Sequence, residues 1–146
     1  METLQEFVTF LQSCITPVAL ISGVGLLLLT FTNRLARTID RTRQLIAELE
    51  TGQVKNAGIK KNEIKILYKR SRVLRTSIGA MVLSVISSSL IIPVLFIMFL
   101  FEADLRVVGY LLFVLSILSI LFSTIYFFRD ILLSLKAIKL EAGEIV

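Results

Sequence analysis

No histidine occurs in the 146 residues, and there is a single cysteine, Cys14. The first absence removes the commonest metal ligand and the commonest general base. The second excludes an internal disulfide, since one thiol has no partner within the chain. Charge is also scarce, at 18% Asp, Glu, Lys and Arg, against about 25% in soluble domains. What fills the chain is apolar: 55% of residues are hydrophobic, and the mean hydropathy is +0.85. A soluble domain of this size has too much surface to hide that fraction. Composition therefore excludes an ordinary soluble enzyme, a disordered chain and a disulfide scaffold.

The few charges are placed with strong bias. Residues 7–33, 76–101 and 107–128 contain no Asp, Glu, Lys or Arg. A spanning helix needs roughly 20 mostly apolar residues, and in lipid only helices and closed barrels satisfy the backbone. The runs are continuous rather than alternating, which argues against a barrel. The expected fold class is an all-α membrane protein. It has three transmembrane helices and a long cytoplasmic antiparallel helical hairpin between the first and second.

The predicted boundaries follow the charges and the prolines. Thr16-Pro17 offers an N-cap followed by a proline at the first helical position, so the first span is set at 16–33. Upstream, Leu4, Phe7, Val8, Leu11, Cys14 and Ile15 recur at helical spacing. Residues 1–15 are read as an amphipathic helix lying in the extracytoplasmic interface; the alternative is one long helix kinked at Pro17. The second span is 76–101, the external loop 102–106, the third span 107–128 and the tail 129–146.

Loop charge sets orientation. The segment 34–75 carries 12 Lys/Arg and 4 Asp/Glu, whereas 102–106 has one Arg and two acids. Positive loops stay in the cytoplasm, which puts the hairpin and C-terminus inside and the N-terminus outside. Within the hairpin, Leu35, Ile39, Thr42, Ile46 and Leu49 form one short coiled-coil seam, and Ile64, Leu67, Ser71, Leu74 and Ile78 another. The glycines and polar residues of 51–58 supply the turn. Nothing forces a break at the membrane surface, so both helices are expected to run on from their spans.

Two sets of residues are candidates for function. At the inner boundary Arg34, Arg37 and Arg41 share a helix face. Asp40 lies within side-chain reach of Arg37 and Arg43, or across the hairpin of Lys69 or Arg72. Lys65, Lys69, Arg72 and Arg75 lie on the returning helix. Such bases can bind anionic lipid headgroups or simply fix topology. Nucleic acid is not an expected partner, because no aromatics interleave the arginine face. In the spans, Ser77, Ser84, Ser87 and Ser88, with Ser116, Ser119 and Ser123, form stripes of small hydroxyls. These suit close helix packing, within or between subunits, or the lining of a pore. In a ring of subunits, Glu102 and Asp104 would form an acidic outer mouth. Pro93 is expected to kink the second span.

No nucleotide loop, zinc motif or catalytic triad is present, so the chain is read as non-enzymatic and without a cofactor. The leading expectation is a homo-oligomeric membrane protein whose basic hairpin serves assembly, anionic-lipid binding or partner binding. The alternative is a homo-oligomeric ion channel with a serine-lined pore.

The run from Ile15-Thr16-Pro17 through Ser22-Gly23 and Gly25, the element Asn33-Arg34-Leu35-Ala36-Arg37-Thr38-Ile39-Asp40-Arg41, and the later Arg70-Ser71-Arg72-Val73-Leu74-Arg75 together resemble a bacterial family known as domain of unknown function 2721. The resemblance covers roughly residues 10–140. It implies a small multi-span protein of bacterial inner or cyanobacterial membranes and carries no established activity. It directs attention to Asn33, Arg34, Arg37, Asp40 and Arg41.

Overall fold

The computed structural model describes residues 2–51, 57–102 and 104–142, with side chains described in 4–51, 58–102 and 104–135. It is built of three helices, α1 (Glu2–Glu50), α2 (Ala57–Phe101) and α3 (Arg106–Ala142). All three are long and apolar enough to cross a membrane. Most of the predicted turn at 51–58 falls outside the described residues.

The helices form because apolar and small residues continue through the spans, while the connectors change composition. The 34–75 segment stays helical up to Glu50 and again from Ala57. Glycines and polar residues separate the two stretches. Between α2 and α3, Glu102 takes a left-handed φ of 50°, which ends α2. Asp104 then accepts a hydrogen bond from the Arg106 backbone N–H at the head of α3.

One expected helix start is corrected. The chain does not restart at Thr16-Pro17: α1 is one helix with Pro17 inside it. A proline forfeits one backbone hydrogen bond, and spanning helices tolerate that loss because neighbours compensate. Pro17 is itself buried. Upstream, Phe10 stacks on Phe99 of α2 at 4.8 Å and tilts against Phe96, so the first residues pack with α2. At the other end, the helix of the third span runs on through Arg129 to Ala142, so the first part of the 129–146 tail is helical.

The chain divides into two compact units: Met1–Leu28 with Gly79–Phe122, and Leu29–Ile78 with Ser123–Val146. In the first, Val24, Met81 and Ile91 are buried together with Ser84, Ser87, Ser88, Ser116 and Ser119. In the second, Phe31, Leu45, Leu67 and Leu74 are buried with Thr38, Ser77, Ser123 and Asp130.

Buried positions recur every seven residues, the spacing that keeps one stripe of a helix facing its neighbours. On α1 they are Pro17, Val24, Phe31, Thr38 and Leu45. The part of that stripe beyond residue 34 therefore centres on Thr38 and Leu45, whereas Leu35, Ile39, Thr42 and Leu49 are half-buried and Ile46 is exposed. The predicted seam was drawn for contact with one helix only. In the second unit α1 also meets α3, where Phe31 stacks on Phe127 at 4.0 Å, and this rotates the buried face.

Outward-facing positions are large and apolar. Leu26, Leu111, Leu118, Phe122, Ile125 and Phe128 are all exposed. An apolar surface this continuous is unstable in water and suited to lipid.

Candidate functional site

The second unit contains a buried carboxylate held by two arginines from two other helices. Asp130 of α3 has no solvent exposure. Its Oδ1 accepts a hydrogen bond from Arg70 Nε of α2 at 3.1 Å. Its Oδ2 lies 3.8 Å from Arg34 Nη1 of α1 and has no hydrogen-bond partner. Arg34 in turn sits over the Phe127 ring, 5.2 Å from its centroid, which covers the cation with an apolar face. A carboxylate leaves water at high cost unless it is paired; here one short charge-assisted bond and one longer attraction offset that cost.

Sequence reasoning found Arg34 and missed both Asp130 and Arg70. A signal existed. Ser116 and Ser123 are seven residues apart, and the next step of seven lands on Asp130. On α2 the steps back from Ser84 are Ser77 and then Arg70. In the sequence alone the charges of Arg129-Asp130 mark the end of the apolar span, which hides the continuation.

The serines lie where α2 and α3 pack. Ser77 and Ser123 donate to each other's backbone carbonyl oxygens, both at 2.6 Å, with the two hydroxyls 3.0 Å apart. In the first unit Ser116 Oγ lies 2.9 Å from Ser84 Oγ and 2.7 Å from Ser88 Oγ. Ser87 donates to its own helix at Leu83, and Ser119 is buried beside them. Only a residue as small as serine lets two backbones come close enough for these reciprocal bonds.

The boundary residues of α1 separate into two groups. Arg34 and Arg41 flank the buried stripe; Arg41 Nε and Nη2 reach Glu63 Oε1 of α2 at 3.2 Å. Asn33, Arg37 and Asp40 are exposed. Among the described residues Asp40 makes no ion pair, so the expected contacts with Arg37, Arg43, Lys69 or Arg72 do not form. The reason is angular: two residues on from Thr38, Asp40 points away from the packed face. Further along, Lys60 Nζ binds Glu48. That hydrogen bond, more than the neighbouring charges, holds the Glu48 carboxyl below its ordinary range.

Arg72 and Arg75, both anticipated, lie in a cleft of about 430 Å³ between α1 and α2. Arg43, Tyr68, Thr42 and Ser71 also line it, and none of these four was singled out as a ligand. Lys69 is exposed outside it. At the loop, Glu102 and Asp104 are both exposed, and Asp104 lies 3.6 Å from Arg106 Nε.

Three apolar helices with lipid-suited outer faces, and polar groups gathered on their packed faces, define a multi-pass membrane protein. The chain belongs to the family described as protein of unknown function DUF2721, whose pattern matches residues 14–140. No curated protein matches it, and no solved structure does.

Proposed function

We propose that this is a non-enzymatic, homo-oligomeric protein of a bacterial inner membrane. The N-terminus lies outside, and the segment 34–75, an antiparallel hairpin, lies with the C-terminus in the cytoplasm. Its task is carried by the hairpin, which binds anionic lipid headgroups and through them organises assembly or a partner. Orientation is supported by the excess of 12 bases over 4 acids in that segment. The hairpin is supported by the Arg41–Glu63 and Lys60–Glu48 pairs, which join α1 to α2.

One observation carries the lipid reading. Arg34 and Arg70 share Asp130, Arg41 has Glu63 and Lys60 has Glu48. Among the described residues, Arg37, Arg43, Lys61, Lys65, Lys69, Arg72 and Arg75 have no acidic partner. Bases left unpaired beside a bilayer gain about 1 kcal/mol each from anionic lipid. Self-association is supported by α1, where Ser22, Gly23 and Gly25 are exposed and a side chain added at either glycine would meet nothing within 4 Å. Small exposed residues let a second helix approach. A serine-lined pore draws no comparable support, since the hydroxyls of Ser77, Ser84, Ser87, Ser88, Ser116 and Ser123 bond to one another, to the facing backbone or to their own helix.

Native mass spectrometry in mild detergent tests both halves. The expected result is an oligomeric mass that retains phosphatidylglycerol or cardiolipin and sheds it as salt rises. A monomer that keeps no anionic lipid overturns the proposal.

A further inference from the structure

The cleft between α1 and α2 supports a narrower conclusion, which rests on the lipid-binding reading. Three arginines, Arg43, Arg72 and Arg75, line it together with Tyr68. Thr42 and Ser71 add hydroxyls, and Ile39 supplies an apolar patch. Thr42 donates its own hydroxyl proton to the Thr38 carbonyl. Among the described residues, no carboxylate lines the cleft. Three other arginines of the same unit, Arg34, Arg41 and Arg70, each meet an acid of the chain. Gathering three unneutralised cations in one concavity raises its positive potential and makes it attract an anion.

The charge count and the height of the cleft narrow the ligand. A phosphodiester brings one negative charge, too few for three arginines, whereas a phosphomonoester or diphosphate brings about two or more. Guanidinium forks match phosphate oxygens in pairs. Arg75 immediately precedes the charge-free run that begins at residue 76, and Arg72 is one turn before it. At a rise of 1.5 Å per residue, both fall within the headgroup layer, about 5–7 Å deep on each side of the hydrocarbon. Arg43 stands farther out, where the terminal charges of a tall head would reach. We propose that the cleft is a binding site for a lipid whose head is a phosphomonoester or diphosphate, selected over singly charged phosphodiester lipids.

The full-length protein in mild detergent is titrated with phosphatidic acid and, separately, phosphatidylglycerol, with bound lipid counted by native mass spectrometry. Phosphatidic acid should bind more tightly. Arg72→Gln and Arg75→Gln, the two bases at headgroup height, should each weaken it about fivefold and together erase the preference. Lys61→Gln with Lys65→Gln, two exposed bases outside the cleft, removes the same charge and should leave the preference intact. Equal loss in the two double variants would overturn the site, as would equal binding of the two lipids by the parent protein. In either case general anionic-lipid binding survives; loss of all lipid binding in the parent would remove the underlying reading as well. Glycerol 3-phosphate, added in equimolar amount, should not displace the lipid. Full displacement would assign the cleft to a soluble phosphate ester and overturn the lipid commitment.

Discussion

Asp130 shows how one residue decides the energetics of its surroundings. Removing one member of a buried ion pair is costly because the other charge stays behind without compensation, typically about 3–5 kcal/mol. Arg70 is the closer partner, 3.1 Å away with a side chain only 16% exposed. Arg34 stands at 3.8 Å and is 36% exposed, so more of its attraction is screened by solvent. Arg70→Gln should therefore destabilise strongly, and Arg34→Gln clearly less. Thermal melting in detergent reads the order. Asp130→Asn combined with Arg70→Gln should cost less than the sum of the two single changes, because neither leaves a stranded charge in the other's presence. Additive losses, or a larger effect at Arg34, would show that Asp130 is not neutralised in the way its geometry describes.

At the scale of elements, the contact of α2 with α3 in the second unit advances by seven: seven residues back along α2, from Ser77 to Arg70, meets seven forward along α3, from Ser123 to Asp130. The serine stripes and the three apolar runs were legible in the sequence, because small residues and charge gaps are local signals. The arginine–aspartate step was not, because its two halves lie 60 residues apart and charge reads locally as the end of a span. The rotated stripe on α1 was equally hidden: a seam drawn from one helix cannot reveal that α1 must serve two neighbours. The cleft was half visible, in Arg72 and Arg75, while Arg43 and Tyr68 join them only once α1 and α2 are set side by side. The serine contact makes its own prediction. Ser116→Ala loses hydroxyl contacts with Ser84 and Ser88, at roughly 0.6–1.7 kcal/mol for hydrogen bonds between spanning helices. Ser77→Val should cost more, about 1–3 kcal/mol, since a methyl group replaces the hydroxyl and a second is added, which forces the helices apart. If valine were tolerated as well as alanine, the 2.6 Å reciprocal bonds would not describe the packed state.

For the molecule as a whole, orientation is set by a contest between loops, and the margin is wide. Lys and Arg in the connector 34–75 outnumber those in the 102–106 loop by 12 to 1, and only such short flanking segments count in fixing topology. The acids of the loop contribute little, so no compensation comes from Glu102 or Asp104. The single native cysteine makes the consequence measurable. In a Cys14→Ala background, Lys55→Cys should resist a membrane-impermeant thiol reagent in intact cells and react after the membrane is opened. Glu102→Cys should react in both conditions. Replacing Arg37, Arg43, Lys61 and Lys65 by glutamine would still leave eight bases in the connector, so the labelling pattern should not invert. The same quadruple change should nevertheless weaken the retention of anionic lipid, because topology responds to the balance between loops whereas headgroup binding responds to each unpaired base. An inverted pattern in that variant, or a parent protein whose position 55 is labelled from outside, would mean that something other than connector charge orients the helices. The arginine-lined cleft would then face the opposite leaflet.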